Sequence, residues 1–201
     1  MKDKFFIYIV LALFIALASC GKYEKILKST DYRLKYEKAI EYLEDEDYVR
    51  SATLLDQVSN VYKGTTKADT VLYYKAKAYF GQRDYIMSGY YYDELAKTFP
   101  NSPFAEESAF MKAFCFYKQS PRPSLDQEYT YKAIDAFTLF LINHPRSEKR
   151  EDCLKYIDEL REKLVEKSYN VAKLYFDLEQ YKAAQIALRN SLSEFPDTKY
   201  R

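Results

Sequence analysis

The stretch Tyr73-Tyr74-Lys75-Ala76-Lys77-Ala78-Tyr79-Phe80 decides the fold, because its pattern of aromatic and small residues returns along the chain. The spacing Tyr73-x2-Ala76-x2-Tyr79-Phe80 recurs as Tyr169-x2-Ala172-x2-Tyr175-Phe176. A close relative is Phe110-x2-Ala113-x2-Phe116-Tyr117, and a looser one is Tyr36-x2-Ala39-x3-Leu43. Intervals of three and four residues are helical, and self-similarity of this kind is typical of repeat proteins. The sequence therefore predicts four related helices.

A second helix is predicted after each of these first helices. It begins with an aromatic residue, which is followed within two to four positions by a small residue. The sets are Tyr48 with Ser51 and Ala52, Tyr85 with Ser88, Tyr131 with Ala133, and Tyr181 with Ala184. Three second helices close on Phe99-Pro100-Asn101-Ser102, His144-Pro145-Arg146-Ser147 and Phe195-Pro196-Asp197-Thr198. Proline cannot continue a helix, and the polar residues after it can cap the next one. The predicted units are helical hairpins.

This pattern resembles the tetratricopeptide repeat, which has small residues between the two helices of a hairpin, aromatic residues between neighbouring hairpins and a proline at the end of each unit. That resemblance implies an all-α fold, an α-solenoid of about four hairpins. The closing prolines lie farther apart than the roughly 34 residues of that repeat, which indicates two insertions. One is the proline-rich loop from Gln119 to Ser124. The other, from Ser147 to Lys167, lengthens the first helix of the fourth hairpin and carries Leu154, Ile157, Leu160 and Leu164 on one stripe.

The N-terminus is typical of an export signal that ends in a lipidation site. Met1-Lys2-Asp3-Lys4 precedes an apolar run from Phe5 to Ala18, which is shorter than the roughly 20 residues of a membrane-spanning helix. Leu17-Ala18-Ser19-Cys20 resembles the lipobox of bacterial lipoproteins. We expect a signal peptide over 1–19, a lipidated tether over 20–30 and a repeat domain over 31–201. An ordinary cleaved signal with a coincidental cysteine is the alternative.

Composition and motifs argue against several kinds of function. The chain has 31 Lys and Arg, 30 Asp and Glu and a formal net charge of +1, so no basic surplus favours nucleic acid. The one histidine, His144, precedes a proline, and no Ser or Cys has a base at motif spacing. Glu44-Asp45-Glu46-Asp47 lacks the spaced ligands and glycine of a calcium loop. The sequence predicts no enzyme, no metal and no cofactor other than a covalent lipid on Cys20.

Cys115 and Cys153 are the other two cysteines, in a compartment where disulfides can form. Cys115 lies between two phenylalanines, which favours a buried thiol. A disulfide with Cys153 stays open from the sequence.

The lipobox, the order of hairpins, the loop and the long fourth hairpin together resemble the BamD family, lipoprotein subunits of the outer-membrane β-barrel assembly (Bam) machinery. The match runs from Cys20 nearly to the end, most clearly over Ala39 to Ala52, Phe99-Pro100-Asn101-Ser102-Pro103 and Ser168 to Tyr175 through Phe195-Pro196-Asp197-Thr198. It implies a lipid-anchored protein on the periplasmic face of the outer membrane. BamD has a fifth hairpin, and Pro196-Asp197-Thr198 is typical of a cap for a further helix, so we expect that hairpin to be missing here.

The same resemblance implies a non-enzymatic scaffold whose partners are BamA, unfolded β-barrel precursors and other assembly lipoproteins, with no nucleic acid. Repeat position predicts a peptide groove along the first helices. Its residues are Arg33, Glu37, Ile40, Tyr74, Lys77, Met111, Phe114 and Lys118. A BamA-facing surface is implied for Lys182, Gln185 and Arg189. Ala187 stands where family members can carry an interfacial arginine, and Arg189 is the nearest substitute.

Two other functions remain possible from the sequence. The runner-up is an envelope tetratricopeptide lipoprotein that recruits cell-wall or division proteins through the same groove. A glycan-binding nutrient lipoprotein is disfavoured, because the chain is short, has no tryptophan and lacks an acidic tract after Cys20.

Overall fold

A computed structural model describes residues 21–196, which are helical and form no strand. The helices are α1 (described over 21–28), α2 (Tyr32–Glu44), α3 (Tyr48–Tyr62), α4 (Ala68–Gly81), α5 (Tyr85–Thr98), α6 (Ala105–Gln119), α7 (Glu128–Asn143), α8 (Arg150–Asp177) and α9 (Tyr181–Glu194). The all-α prediction is confirmed. The predicted signal peptide, the lipidation residue Cys20 and the cap residues Asp197 and Thr198 lie outside the described residues.

Helix starts follow the aromatic residues that the sequence singled out. Helices α3, α5 and α9 begin at Tyr48, Tyr85 and Tyr181. The carboxylates of Asp47 and Asp84 cap α3 and α5, because each accepts a backbone N–H from the first turn. Helix α7 differs, since it begins at Glu128, three residues before Tyr131.

The closing prolines end helices as predicted. Helices α5, α7 and α9 stop before Phe99, His144 and Phe195, and each of these cap residues precedes a proline. Their backbone N–H groups donate to the carbonyls of Leu95, Phe140 and Ser191. Proline also disfavours the helical conformation of the residue before it, so the helix ends there.

Residues 21–82 form one compact unit, in which α2 packs on α3 and α3 packs on α4. The hydrophobic core of this unit consists of Ala39, Leu43, Ala52, Leu54, Leu55, Val58, Val71 and Ala78. The predicted small residues lie where the helices approach. The hydroxyl of Ser51 on α3 donates to the carbonyl of Ala39 on α2 at 2.8 Å. A small side chain at each position permits that distance.

Residues 83–196 form the second unit, in which each helix from α5 to α9 packs on the next along the chain. Its core consists of Phe110, Ala113, Ala133, Phe137, Phe140, Cys153, Ile157 and Leu160. Cys115 and Cys153 are free thiols and both are buried. The Cys115 thiol donates to the Ser88 hydroxyl at 3.4 Å. Burial raises the pKa of each thiol to about 11.

The long fourth hairpin is confirmed, because α8 runs for 28 residues. Ile157, Leu160 and Leu164 are buried as predicted, whereas Leu154 is 37% exposed. Cys153 takes the buried position instead, since it lies four residues before Ile157 and so continues the same helical stripe. No helix of the described part combines the length and the apolar character needed to cross a membrane.

The proline-rich loop between α6 and α7 is held against α8. Lys163 on α8 donates to the Ser120 hydroxyl at 2.7 Å and to the Ser120 carbonyl at 3.4 Å. The Ser120 hydroxyl is also hydrogen-bonded to Thr130, and Gln127 donates to the carbonyls of Arg122 and Leu125. Burial lowers the pKa of Lys163. The loop is therefore an ordered part of the second unit.

Candidate functional site

Three tyrosines of the first unit lie together between α2, α3 and α4, and we call Tyr36, Tyr62 and Tyr74 the tyrosine cluster. The ring centroids of Tyr36 and Tyr62 are 5.7 Å apart. Burial raises the pKa of Tyr36, and Tyr74 and Tyr62 raise it further. The Lys67 ammonium lies 5.7 Å from the Tyr36 ring centroid, a cation–π distance. The cluster thus combines aromatic surface with a cation.

Predicted groove residues border this cluster. Arg33 donates to the Glu37 carboxylate at 2.9 Å, one turn apart on α2, and both side chains are exposed. Ile40, a further turn along α2 from Tyr36, is half-buried. On α4, Tyr74 is half-buried and Lys77 is exposed. The first unit therefore has exposed or half-exposed predicted residues on both of its first helices.

The second unit carries a larger group of aromatic side chains, which we call the aromatic platform: the half-buried Phe114 and Tyr117 on α6 and Tyr156 on α8, packed on the buried Phe110. Along α6, the centroids are 6.0 Å apart for Phe110 and Phe114 and 5.6 Å apart for Phe114 and Tyr117. Tyr156 closes the surface, with its centroid 4.6 Å from Tyr117 and 5.3 Å from Phe114. Near-parallel stacking on α6 gives a row of ring faces rather than isolated side chains.

Two lysines lie over this platform. The Lys118 ammonium is 4.8 Å from the Phe114 centroid and 6.0 Å from the Tyr117 centroid. The Lys149 ammonium is 4.7 Å from the Phe110 centroid. These cation–π contacts hold positive charge beside the rings, where it can attract a carboxylate of a bound chain.

A hydrogen bond fixes one ring of the platform. The Tyr117 hydroxyl donates to the Glu159 carboxylate at 2.6 Å. This hydrogen bond, followed by burial, raises the pKa of Tyr117 to about 12. The phenol is therefore neutral at physiological pH and keeps its donor role, so the orientation of the ring is set by α8.

The platform contains both predicted and unpredicted residues. Phe114 and Lys118 were predicted for the groove, and the structure brings them together. Met111 is half-buried and packs against the core of the second unit. Tyr117, Tyr156 and Lys149 were not predicted as site residues. Tyr117 belongs to the repeat motif and was available as a signal, whereas the contacts of Tyr156 and Lys149 with α6 depend on how α8 packs.

A third surface lies on α9, where the predicted residues Lys182, Gln185 and Arg189 are exposed. Their spacing of three and four residues places them on one face of the helix. Ile186, between them, is 61% exposed, so this face combines apolar surface with positive charge. That combination is common in protein interfaces.

Ala187 faces a different direction from that exposed surface. It lines an open cleft of about 290 Å³, formed with Tyr131 of α7 and with Leu164 and Val171 of α8. Burial raises the pKa of Tyr131, and Glu194 on α9 raises it further. Arg189, the substitute named for an arginine at Ala187, does not line the cleft.

The structure also places the histidine and the acidic run that were weighed from the sequence as candidate sites. His144 Nδ1 is 3.9 Å from the Glu106 carboxylate, and its ring packs on Phe140 with centroids 4.9 Å apart. Within residues 21–196 no group of three His, Cys, Asp or Glu side chains is placed to hold a metal ion. Glu46, in the acidic run, has a φ of 60° and turns the chain from α2 into α3.

The comparison with protein families agrees with this architecture. The family model YfiO, described as an outer membrane lipoprotein, matches residues 29–201. That range includes every helix from α2 to α9 and all three candidate surfaces. No curated protein matches the chain at a significant level. Because the family match spans most of the sequence and coincides with the helical hairpins, the chain belongs to the YfiO family of outer membrane lipoproteins.

Proposed function

We propose that this protein is a non-enzymatic scaffold of the outer-membrane β-barrel assembly machinery, anchored on the periplasmic face by a lipid on Cys20. The family match over residues 29–201 is the observation that carries the proposal. The helical hairpins support it, since repeats of this kind bind partners along extended surfaces. The lipobox-like Leu17-Ala18-Ser19-Cys20 supports the anchor.

The tyrosine cluster and the aromatic platform are the proposed sites for unfolded barrel precursors. An extended chain places alternate side chains on one side about 6.6–6.8 Å apart. The ring spacing of 5.6 Å between Phe114 and Tyr117 is within about 1 Å of that repeat. Precursor side chains of aromatic type would stack on these rings, and Lys118 and Lys149 would attract a precursor carboxylate.

The α9 face is the proposed contact with a BamA-like barrel subunit. Lys182, Gln185 and Arg189 offer two cations and an amide around the exposed Ile186. An apolar centre with a polar rim suits a complementary acidic surface. Other assembly lipoproteins are further candidate partners.

Photo-crosslinking in intact cells tests both proposed contacts. A photoreactive residue replaces Lys77, Lys118 or Arg189 in separate strains. Lys155, which is exposed on the side of α8 opposite its buried residues Cys153, Ile157 and Leu160, serves as the matched control. We expect precursor adducts from Lys77 and Lys118 and a BamA-like adduct from Arg189, with little of either from Lys155. Recovery of neither partner from any position would contradict the proposal. Cell-wall or division proteins at Lys77 and Lys118 would favour the alternative recruiter.

Mass spectrometry of the protein extracted from its native membranes tests the anchor. The proposal expects an N-terminal peptide that starts at Cys20 and carries a diacylglyceryl group with an acylated amine. A chain that starts elsewhere, or a Cys20 without lipid, would refute the lipoprotein anchor.

A further inference from the structure

The described residues of α1, 21–28, are packed into the first unit and follow the proposed lipidation residue directly in the sequence. Tyr23, Ile26 and Leu27 pack against the core of that unit. Tyr23 meets Tyr42 edge to face, with ring centroids 5.8 Å apart. The Arg50 guanidinium carbon is 5.2 Å from the Tyr23 centroid and is paired with Asp47 at 3.0 Å. The N-terminal half of α1 is thus fixed on α2 and α3.

The C-terminal end of α1 is fixed as well. Lys35, only 5% exposed, donates to the Leu27 carbonyl at 3.0 Å and to the Gln57 side chain at 2.6 Å. A cation at a helix C-terminus is favoured by the helix dipole and satisfies a carbonyl that lacks a partner inside the helix. Contacts at both ends hold α1 in one position on the unit.

The outward side of α1 is basic. Lys22, Lys25 and Lys28 are exposed, with Glu24 as the one acidic residue of the helix. On a helical projection Lys25 and Lys28 point away from the side that Tyr23, Ile26 and Leu27 bury. Glu24 pairs with Lys28 at 3.5 Å on the surface, an exposed contact of small effect.

Chain connectivity brings this basic side close to the membrane. One peptide unit, about 3.8 Å, separates Cys20 from Gly21, and the helix rises about 1.5 Å per residue. Every lysine of α1 is therefore within roughly 16 Å of the anchor residue along the chain. Lysines this close to a bilayer are attracted by anionic lipid headgroups.

We infer that α1 stands with its Gly21 end on the membrane surface and so holds residues 21–82 in one orientation, with Lys22, the lysine nearest Cys20, on anionic phosphate headgroups. This inference rests on the proposed lipidation of Cys20. The lipid anchor then also sets the orientation of the first unit, because the helix that joins Cys20 to the unit is packed on its core and is not a flexible spacer. The end of α3 near Tyr23 then faces the lipid, and the other end points away.

Two fluorescent labels on α3 test that orientation. Val49 and Val61 are both exposed and are twelve residues apart, about 18 Å along the helix. Val49 adjoins Arg50, which contacts Tyr23. Cysteine substitution at either site allows specific labelling, since Cys115 and Cys153 are buried. The lipidated full-length mature protein is placed in vesicles of phosphatidylethanolamine and phosphatidylglycerol that carry a headgroup quencher.

We expect the label at Val49→Cys to be quenched at least about twofold more than the label at Val61→Cys, because the two sites differ by about 18 Å in position. A ten-residue Gly-Ser insertion directly after Cys20 adds a flexible segment of roughly 17 Å root-mean-square length. That variant should lose the difference in quenching yet still sediment with the vesicles. Circular dichroism checks that each variant is folded.

Charge reversal tests the headgroup contact. Lys22→Glu should reduce the quenching at position 49 in anionic vesicles, whereas Lys63→Glu, at the far end of α3, should not. Equal quenching at positions 49 and 61 in acylated protein, or an unchanged difference after the insertion, would overturn the inference alone. An unacylated Cys20 in the mass spectrum would overturn the lipid anchor and the inference together, so the two failures are distinguishable.

Discussion

At the scale of single residues, Gly81 shows how closely the hairpin elements of the first unit pack. A Cβ atom on Gly81 would overlap the Tyr48 ring, with Cγ, Cδ1 and Cε1 all nearer than normal contact. Replacing glycine by alanine inside a helix stabilises it by up to about 1 kcal/mol. Forcing an extra methyl group into a filled space destabilises a protein by typically about 1–3 kcal/mol, so the packing effect is the larger one here. Tyr48 opens α3 and Gly81 ends α4, so this contact joins two helix termini.

We expect Gly81→Ala to lower the free energy of unfolding by about 1–2 kcal/mol, because the ring must move. Denaturant titration measures this change. In a Tyr48→Ala background the same substitution should become neutral or slightly stabilising, since the obstacle is gone. Equal effects in both backgrounds would show that the ring is not the cause.

The two buried thiols give a prediction about pH. Burial raises the pKa of Cys115 and of Cys153 from 9.0 to about 11, so folding favours the protonated forms. Their contribution to stability is complete below pH 9 and is lost as pH rises towards 11. At pH 8 a maleimide should therefore leave both thiols unmodified in the native protein and modify both in guanidinium chloride. Rapid modification of either thiol in the native state would contradict this.

At the scale of elements, two lysines of α8 hold the loop between α6 and α7: Lys163 donates to Ser120, and Lys167 donates to the Leu125 carbonyl. Lys163 is the donor that links Ser120 to that helix, and burial lowers its pKa. Lys163→Met keeps the aliphatic length and removes the donor. Loss of a hydrogen bond from a charged donor typically lowers stability by about 1.5–3 kcal/mol. The loss should be smaller here, because the substitution also removes the cost of burying the Lys163 charge.

We expect Lys163→Met to destabilise the protein by about 1 kcal/mol and to speed hydrogen exchange of the backbone amides in residues 120–127. Exchange measured by mass spectrometry separates this region from the helices. Lys155→Met, at an exposed position of the same helix, is the control and should change neither quantity. Faster exchange throughout the second unit would indicate general destabilisation instead.

At the scale of the whole molecule, the proposed partner surfaces lie on different helices, so their effects should separate. Lys118→Glu reverses the charge over the aromatic platform, and Arg189→Glu reverses it on α9. We expect the first to reduce precursor crosslinking from a photoreactive residue at Lys149, on the same platform, several-fold and to leave capture of the BamA-like subunit unchanged. Arg189→Glu should do the opposite. Charges across an interface act mainly through specificity and association rate, so a several-fold change is the expected size.

Crosslink yields with membranes from each variant strain measure this separation, and Lys155→Glu controls for a general effect of charge. If both variants reduced both partners equally, the two surfaces would not act as separate sites. The control variant should match the parent protein in both yields.

The sequence by itself determined the hairpins, because helix boundaries and small-residue contacts depend on local spacing. Tyr48, Tyr85 and Tyr181 mark helix starts in both the sequence pattern and the structure. Ala39, Ala76, Ala113 and Ala172 recur at one position of the repeat, and all four are buried. Side chains that recur every three or four residues lie on one face of a helix, and that face is the buried one when they are apolar or small. The order of residues alone therefore predicts these buried positions. Within the candidate site, Phe114 and Lys118 were predicted in the same way, by counting positions along the first helix of the third hairpin.

Only the tertiary structure decided which aromatic residues meet and where α1 lies. Tyr117 reaches Glu159 across 42 positions of sequence, and Lys163 reaches Ser120 across 43. Such contacts depend on the angle and the register at which one helix packs on another, which residue spacing within a helix does not specify. The sequence pattern likewise predicted a tether where α1 instead packs its aromatic and aliphatic side chains on the first unit. Short helical segments are marginal in water by themselves, so packing of Tyr23, Ile26 and Leu27 on the core stabilises residues 21–28.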